Sequence, residues 1–459
     1  MNEVILSAEE YAEQGILKYD LGYYEESIKL LTKAIEIDPN SIDTFNYRGK
    51  SYFYLGDYAK AISDYTKAIE INPNNPETLK IRGLSYCCLQ KFSEAISDFT
   101  EIIKSYPDTP QAYYSRGLAY HKLCDYSNSI SDYSTAIELD TNFALAYIKR
   151  GNVYKDLNKI SDALSDYDKS IELDENSAEA YYYRGFTYFN LADYSKAITD
   201  FTKAISLNPN ISHPYNYRGT AYFELSDFTN AVSDYSKVIM LDPNYYKVHH
   251  NRGLSYNMLC DYTSAISDFS KELDVNPDYA DAYYNRGVAY YKSQEFSKAI
   301  SDFSKVINLD TNFAEAYFCR GCAFYDLMEY SNAISDFTFS IKLNPGLIGS
   351  YYGRGNAYSD SKEYHKAISD FTKAIEIEPT YADIYCGRGI AYCSINDLSN
   401  AIPDFTKAIE LEPNYAEAYY NRGLAYKDFG SIAKACKDWR IAYSLGITKA
   451  KDLLDKLGG

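Results

Sequence analysis

The chain is poor in several residue types, and each shortage excludes a class of protein. Its 459 residues include one tryptophan, four methionines and nine cysteines, an odd number spread without a framework. Scattered cysteines favour a reducing compartment over a disulfide-stapled secreted scaffold. No run approaches the ~20 apolar residues that a membrane-spanning helix needs, and Met1–Ser7 lacks the basic start and apolar core of a signal peptide. We therefore expect a cytoplasmic protein with no membrane segment.

Positive charge is also in short supply. There are 46 lysines and arginines against 64 aspartates and glutamates, a formal net charge of −18. This balance argues against a nucleic-acid backbone as the main ligand. It favours solubility and, to a lesser degree, a cationic partner. The expected partner is a protein or peptide, with a basic one favoured.

Arginine itself is rare, and its placement is regular. Only 13 arginines occur, and 12 of them precede a glycine in an Arg-Gly pair that returns every 34 residues. The glycines of these pairs are Gly49, Gly83, Gly117, Gly151, Gly185, Gly219, Gly253, Gly287, Gly321, Gly355, Gly389 and Gly423. Gly15 extends the series one step back, after Gln14. A fixed period of this length indicates one supersecondary unit stacked on copies of itself.

Placing each glycine eighth divides the chain into units that leave almost nothing over. Thirteen units are predicted at 8–41, 42–75, 76–109, 110–143, 144–177, 178–211, 212–245, 246–279, 280–313, 314–347, 348–381, 382–415 and 416–449. Residues 1–7 form an N-terminal extension, and residues 450–459, with Leu453, Leu454 and Leu457, are predicted to form a C-terminal capping helix. No stretch of the ~50 residues that a catalytic domain needs remains.

Each unit carries two helical patterns. In the unit 42–75, apolar residues recur at helical spacing before and after the break Leu55-Gly56-Asp57. The second helix ends at Asn72-Pro73, where proline cannot continue a helix. Nine of the 13 prolines occupy this end position: Pro39, Pro73, Pro107, Pro209, Pro243, Pro277, Pro345, Pro379 and Pro413. The unit is therefore a helix, a tight turn, a second helix and a short turn.

The pattern resembles the tetratricopeptide repeat, a 34-residue helical hairpin. One unit has the family's signature residues at the family's spacings: Tyr181, Gly185, Tyr188, Ala197, Phe201 and Pro209. Two departures are the aromatic in place of the first tryptophan and the arginine in place of the leucine before the glycine. The resemblance implies an all-α, right-handed α-solenoid of about 13 repeats that acts as a protein–protein interaction scaffold or adaptor.

An aspartate stands fifteen residues after each glycine of an Arg-Gly pair. The first unit lacks both charges, with Gln14 and Leu30 in their places. This joint absence predicts structural ion pairs such as Arg48–Asp64, Arg82–Asp98 and Arg286–Asp302. The alternative, a row of arginines that grips an anionic ligand, is disfavoured because the aspartates would neutralise it.

In the family, first helices line an inner groove that holds peptides, so the resemblance places a binding groove on the first helices here. The aromatic residues expected there are Phe53, Tyr114, Tyr182, Phe189, Phe223, Tyr284, Tyr291, Phe318, Tyr325, Tyr352 and Tyr420. Acids open many first helices: Asp43, Glu77, Glu179, Asp281, Glu315, Asp383 and Glu417. The alternative is that the rings only pack between neighbouring helices and the acids only complement helix N-termini.

No catalytic constellation is evident. Cys319 and Cys322 form a CxxC inside a helix without a second pair, and the histidines do not form a metal set. We expect no enzyme activity, no cofactor and no metal. A non-catalytic regulatory subunit of an enzyme or assembly complex is the alternative function. Pro403, inside a second helix, predicts a local bend.

Overall fold

The computed structural model describes residues 6–456, which form 27 α-helices and no β-strand. The first helices of the hairpins are α1 Ala8–Asp20, α3 Ile42–Tyr54, α5 Pro76–Cys88, α7 Pro110–Lys122, α9 Ala144–Asp156, α11 Ala178–Asn190, α13 Ser212–Glu224, α15 Val248–Met258, α17 Ala280–Lys292, α19 Ala314–Asp326, α21 Ile348–Asp360, α23 Ala382–Ser394 and α25 Ala416–Asp428. The second helices are α2 Tyr24–Ile37, α4 Tyr58–Ile71, α6 Phe92–Ser105, α8 Tyr126–Leu139, α10 Ile160–Leu173, α12 Tyr194–Leu207, α14 Phe228–Leu241, α16 Tyr262–Val275, α18 Phe296–Leu309, α20 Tyr330–Leu343, α22 Tyr364–Ile377, α24 Leu398–Leu411 and α26 Ile432–Ser444. A final helix, α27, spans Lys449–Lys456. Residues 1–5 of the predicted extension and Leu457 of the predicted capping helix lie outside the described residues.

The helices form two compact units. The N-terminal unit, Met1–Ser226, contains α1–α13, and the C-terminal unit, Asp227–Gly459, contains α14–α27. Within each unit, every helix packs on the next one along the chain. First helices also contact the first helix of the following hairpin, as α3 does with α5 and α17 does with α19. This is the nearest-neighbour packing of an all-α solenoid, as predicted. The exact division into thirteen 34-residue units stays a prediction.

A close approach of the two helices in each hairpin explains the recurring glycine. A Cβ on Gly287 would lie 2.8 Å from Cε1 of Phe303, a ring that is fully buried in the facing helix. Trp439 takes the place of that ring in the last hairpin, where a Cβ on Gly423 would come within 2.4 Å of its Nε1. Any side chain at these glycines would displace an aromatic core residue, because protein interiors are close-packed.

Both ends of the described chain are closed by specific contacts. The N–H of Glu10 donates to Ser7 Oγ over 3.2 Å and the N–H of Ser7 donates to Glu10 Oε2 over 2.7 Å, a capping box at the start of α1. At the other end, Ala450 and Leu454 of α27 pack into the cluster that contains Trp439. The final helix therefore covers an apolar face that would otherwise meet water, as a terminal repeat requires.

The turn inside each hairpin needs one residue with positive φ. In the hairpin of α3 and α4, Asp57 N–H donates to the Tyr52 carbonyl and Gly56 N–H to that of Phe53, which is a Schellman motif. Gly22, Gly56 and Gly430 hold this place with φ between 80° and 82°. In the other hairpins a residue with a side chain adopts φ of 57–62°: Gln90, Cys124, Asn158, Ala192, Ser226, Cys260, Gln294, Met328, Lys362 and Asn396. Most turns therefore carry avoidable backbone strain.

Replacing Ala192 with glycine should stabilise the protein. The gain is about 0.5–1 kcal/mol, since relief of the left-handed strain exceeds the extra freedom of glycine in the unfolded chain. Guanidinium unfolding followed by circular dichroism measures it. The matched control, Gly56→Ala, should lower the unfolding midpoint. A lower midpoint for Ala192→Gly would contradict the assignment of strain.

Pro403 does not end the helix that contains it. Helix α24 runs unbroken from Leu398 to Leu411, the same length as the other second helices from α2 to α22. Proline has no N–H, so the i−4 carbonyl of Ser399 loses its helical donor. A local bend stays a prediction, but interruption of the helix is excluded.

Replacing Pro403 with serine should stabilise α24. Serine occupies the equivalent place in α22, at Ser369, and the Pro403 side chain is exposed. The expected gain is about 2–3 kcal/mol, because a helical hydrogen bond is restored and a steric clash removed. The thermal unfolding midpoint should rise, whereas Ser369→Pro should lower it. An unchanged midpoint in both variants would show that the helix tolerates proline without cost.

Candidate functional site: the face of the first helices

Neighbouring first helices present a shared surface, which we call the first-helix face. Counting from the first residue of each predicted unit, it comprises positions 2, 5, 6, 9, 12 and 13. A cleft of about 290 Å³ shows how these positions meet, because its lining comes from three consecutive first helices together with one residue of α4. The lining residues are Tyr19, Lys50, Phe53, Tyr54, Tyr65, Glu77, Ile81 and Leu84. The face is therefore continuous from one hairpin to the next within this unit.

All eleven aromatic residues predicted to form a groove are half-buried. Those at position 5 lie against the core ring of their own second helix. The centroid distances are 5.9 Å for Tyr284–Phe303, 6.0 Å for Phe318–Phe337 and 6.0 Å for Tyr352–Phe371. Tyr114 and Tyr182 make the same contact with Tyr133 and Phe201. Tyr420 accepts, at its backbone carbonyl, the indole N–H of Trp439. These rings contribute to the fold as well as to the surface.

The aromatic residues at position 12 lie where each hairpin turns. Phe53, Phe189, Tyr291 and Tyr325 each pack on the first residue of the second helix, at centroid distances of 5.3–5.7 Å. Two of the hydroxyls also reach the next hairpin: Tyr291 donates to Asp326 and Tyr325 to Asp360, each over 2.6 Å. Burial and then these carboxylates raise the pKa of both tyrosines. Part of the predicted groove therefore joins consecutive repeats.

Several of the acids at the starts of the first helices have partners within the chain. Lys149 Nζ lies 2.5 Å from Glu179 Oε1, Tyr415 donates to Asp383 over 2.7 Å, and Lys80 pairs with Glu77 at 3.0 Å. The donors come from the preceding first helix for Glu179, from the following turn for Asp383 and from the same helix for Glu77. The acids thus complement more than their own helix N-termini.

The structure brings the predicted arginine and aspartate partners together. In Arg286–Asp302, Nε donates to Oδ2 and Nη2 to Oδ1, both over 2.8 Å, and the two side chains are 18% and 8% exposed. The hydrogen bonds to Asp302 raise the pKa of the Arg286 guanidinium against the effect of burial. The same bidentate pair recurs at Arg48–Asp64, Arg82–Asp98, Arg116–Asp132, Arg150–Asp166, Arg184–Asp200, Arg252–Asp268, Arg320–Asp336, Arg354–Asp370, Arg388–Asp404 and Arg422–Asp438.

Each arginine of an Arg-Gly pair also donates a hydrogen bond to the preceding hairpin, a contact that was not predicted from the sequence. Nη1 of Arg286 donates over 2.9 Å to Ser270 Oγ, on the second helix of the preceding hairpin. The equivalent acceptors are Thr32, Thr66, Thr100, Ser134, Asp168, Thr202, Ser236, Ser304, Thr338, Thr372 and Thr406, at 2.7–3.1 Å. The sequence does contain a signal for this contact, because a serine or threonine stands sixteen residues before every arginine of the series except Arg184, where Asp168 takes its place. In each of the eleven bidentate pairs, the guanidinium therefore connects three helices.

Aromatic rings complete the arginine site. Cζ of Arg286 lies 5.4 Å from the ring centroid of Tyr283 and 5.9 Å from that of Tyr290. A cation between two rings gains further electrostatic stabilisation. With a carboxylate, a hydroxyl and two rings around it, this guanidinium is fully engaged inside the protein. This geometry is typical of a structural ion pair, because the two guanidinium donors that could bind an anion side by side are already bonded to Asp302.

A second series of clefts lies where two consecutive first helices begin. The largest holds about 580 Å³ and is lined by Ala178, Glu179, Tyr182, Tyr183, Ala204, Asn208, Ile211, His213 and Pro214. Equivalent positions line clefts of about 430 Å³ beside Ser41 and about 370 Å³ beside Thr109. The sequence analysis did not predict these clefts. All three lie in the N-terminal unit.

Metal and thiol chemistry find little support in the part of the chain that the structure describes. Residues 6–456 contain no group of three or more histidine, cysteine or acidic side chains that could hold a metal ion. Burial raises the pKa of the Cys319 and Cys322 thiols, which disfavours the reactive thiolate. Burial also lowers the pKa of His250 to about 4. None of the described helices is long and apolar enough to cross a membrane.

Comparison with known families identifies the class of protein. A profile described as "Tetratricopeptide repeat" matches residues 42–75, 110–143, 178–211, 280–313 and 349–381, and one described as "TPR repeat" matches 15–53, 151–191, 219–259, 261–294 and 389–430. Together they match more than half of the chain. The chain belongs to the tetratricopeptide repeat family. In general terms it is a protein-interaction scaffold, a class whose repeats are typically non-catalytic.

Several solved structures align with this chain at low sequence identity. The Cut9–Hcn1 hetero-tetramer of the APC/C is 16% identical, with 98% of this chain and 96% of that one covered and a TM-score of 0.43. A tetratricopeptide repeat protein from Parabacteroides merdae is 20% identical, with 53% and 97% covered and a TM-score of 0.43. Yeast Tom70 is 17% identical, with 97% and 93% covered and a TM-score of 0.37. No curated protein matches the sequence.

A double-mutant cycle on Arg286 and Asp302 should show strong coupling. Either alanine substitution leaves its partner charge largely buried, so each should cost about 3 kcal/mol, and the double variant should cost much less than their sum. Guanidinium unfolding of the four proteins measures the coupling. The control cycle on the exposed pair Glu295 and Lys298 should show no measurable coupling. Additive effects at Arg286 and Asp302 would rule out a structural pair.

Proposed function

We propose that the protein holds a partner polypeptide against its first-helix face and acts as a scaffold or adaptor. Family membership supports binding of protein over other ligands. The observation that carries the choice of face is its chemistry: half-buried aromatic residues, clefts between consecutive helices and a series of acids at the helix starts. An extended or helical peptide binds such a surface through apolar anchors and polar rims.

A basic partner fits the charge of the chain. The net charge of −18 attracts cationic segments and repels nucleic-acid backbones. The arginines that could have gripped an anion are engaged by aspartates and hydroxyls. We place this interaction in a reducing compartment such as the cytoplasm, in keeping with nine free cysteines.

Arginine substitutions on the first-helix face should weaken partner binding, whereas matched substitutions on second helices should not. Leu84 and Ile390, at position 9, are 37% and 40% exposed. Ile71 and Ile377, near the ends of second helices, are 38% and 37% exposed and serve as controls. Full-length variants immobilised at equal density are exposed to lysate from the native source, and the retained partner is quantified. Leu84→Arg and Ile390→Arg should each reduce retention.

The sign of the new charge tests the basic partner. Leu84→Glu changes size and polarity as much as Leu84→Arg does, but a cationic segment should tolerate it far better. Retention should therefore follow the order Glu variant above Arg variant, and the difference should shrink as salt screens the charges. Equal losses on both faces, or no loss on either, would contradict the proposed face. Circular dichroism of each variant verifies that the helices are retained.

A further inference from the structure

In two hairpins a phenylalanine fills the cleft where consecutive first helices begin. In the N-terminal unit, Phe143 occupies position 34, the last residue of its repeat. Its ring centroid lies 5.1 Å from that of Tyr114, at position 5. Phe143 packs with Ala136 on the second helix and Ala146 on the next first helix. The chain itself therefore places a phenyl ring in this cleft.

The C-terminal unit repeats this arrangement. Phe313, again at position 34, lies 5.1 Å from the ring of Tyr284. It packs with Val306 and Ala316, the counterparts of Ala136 and Ala146. The contact is thus a recurrent solution: a tyrosine at position 5 forms one wall, small or β-branched residues form the floor, and a phenylalanine at position 34 fills the space.

The hairpin of α11 and α12 has the wall and the floor but not the ring. Tyr182 stands at position 5, and Ala204 and Pro214 correspond to the floor residues. Position 34 is Ile211, which is 41% exposed. The result is the cleft of about 580 Å³, larger than those beside Ser41 and Thr109. In another hairpin, with Phe318 at position 5 and Leu347 at position 34, the Phe318 ring lies so close to Gly349 that a Cβ there would come within 3.0 Å of it.

We propose that this cleft, the repeat-six socket, receives an aromatic side chain from the partner polypeptide. The socket is defined by Tyr182, Tyr183, Ala204, Ile211 and Pro214. This inference rests on the proposed function and specifies one anchor of it. The occupant is an aromatic ring because the equivalent space in two other hairpins holds one, in contact with the same wall and floor. Because ring–ring contact with Tyr182 adds to the binding free energy, a phenyl group should bind more tightly than an aliphatic one.

The other two clefts do not have this chemistry. Beside Thr109 the wall at position 5 is Lys80, and beside Ser41 it is Ala12. The cleft beside Ser41 is also rimmed by Glu9, Glu13, Asp38 and Asp43. Neither offers a ring at position 5 for an incoming phenyl group to contact. The socket in the hairpin of α11 and α12 is therefore the aromatic site of the series.

Peptide binding to the native protein and to the variant Ile211→Phe, in which the chain's own phenylalanine would fill the socket, tests the proposal. The probe is the peptide acetyl-Gly-Lys-Phe-Lys-Gly-amide, whose lysines suit the acidic chain, and its match has alanine in place of phenylalanine. Titration of the full-length protein, followed by saturation-transfer NMR, should show the phenylalanine peptide binding about tenfold more tightly or better, as expected for burial of a ring. Ile211→Phe should abolish this preference, whereas the control Ile211→Val should keep it.

A reciprocal variant makes the test independent of how Ile211→Phe folds. Phe143→Ala should open an equivalent socket and add a second site that prefers the phenylalanine peptide, and it should restore the preference in the Ile211→Phe background. An engineered apolar cavity of this kind binds small rings. The proposal fails if the native chain shows no preference for phenylalanine, or if Ile211→Phe leaves the preference intact.

The outcome separates this inference from the proposed function. If Ile211→Phe retains the partner from lysate as the native chain does while Leu84→Arg and Ile390→Arg lose it, the first-helix face stands and the socket is not an anchor. If none of the three loses the partner, the face itself is wrong. Loss in all three, with the peptide preference abolished in Ile211→Phe, supports both.

Discussion

Eleven hairpins each contain one planar cation that joins three helices. Arg286 donates two parallel bonds to Asp302 on its own second helix and a third to Ser270 on the preceding one. The bidentate pair links the two helices of the hairpin, and the third bond links them to the preceding hairpin. Lysine could not replace arginine here, because an ammonium group cannot donate two parallel hydrogen bonds to a carboxylate and a third in another direction in the same plane.

Periodicity made most of the fold predictable. The spacing of Arg-Gly pairs located the hairpins, and the structure confirms an all-α solenoid with a final helix. The pairing of Arg48 with Asp64 was anticipated because the first unit lacks both charges. The hydrogen bond from Arg48 to Thr32 was not anticipated, because it joins two repeats and the pattern within one repeat does not display it. The left-handed conformation of Ala192 was hidden for a similar reason: only three turns show the glycine that signals it.

The candidate site was less predictable than the fold because it resides in departures from the repeat. The eleven aromatic residues were assigned to a groove from their places in the repeat pattern. The structure places them on the first-helix face, where the fold itself already half-buries each side chain. Whether a cleft stays open depends on a pair of positions, 5 and 34, that lie almost a full repeat apart. Tyr114 with Phe143 closes one, and Tyr182 with Ile211 leaves one open. A search along the chain for single conspicuous residues does not reveal such a combination.

The internal contacts of the face limit where a partner gains free energy. A ring that packs on a core aromatic, as Tyr284 does on Phe303, has already buried part of its apolar area in the fold. An acid that already has a donor, as Asp383 has in Tyr415, offers a new cation only an exchange of partners. Desolvation then offsets much of the gain from any single ion pair. For the proposed basic partner, the net charge would therefore act mainly on its approach, and affinity would come from clefts that the chain leaves unfilled. In that proposal the repeat-six socket, where Ile211 stands in place of an aromatic ring, is such a cleft.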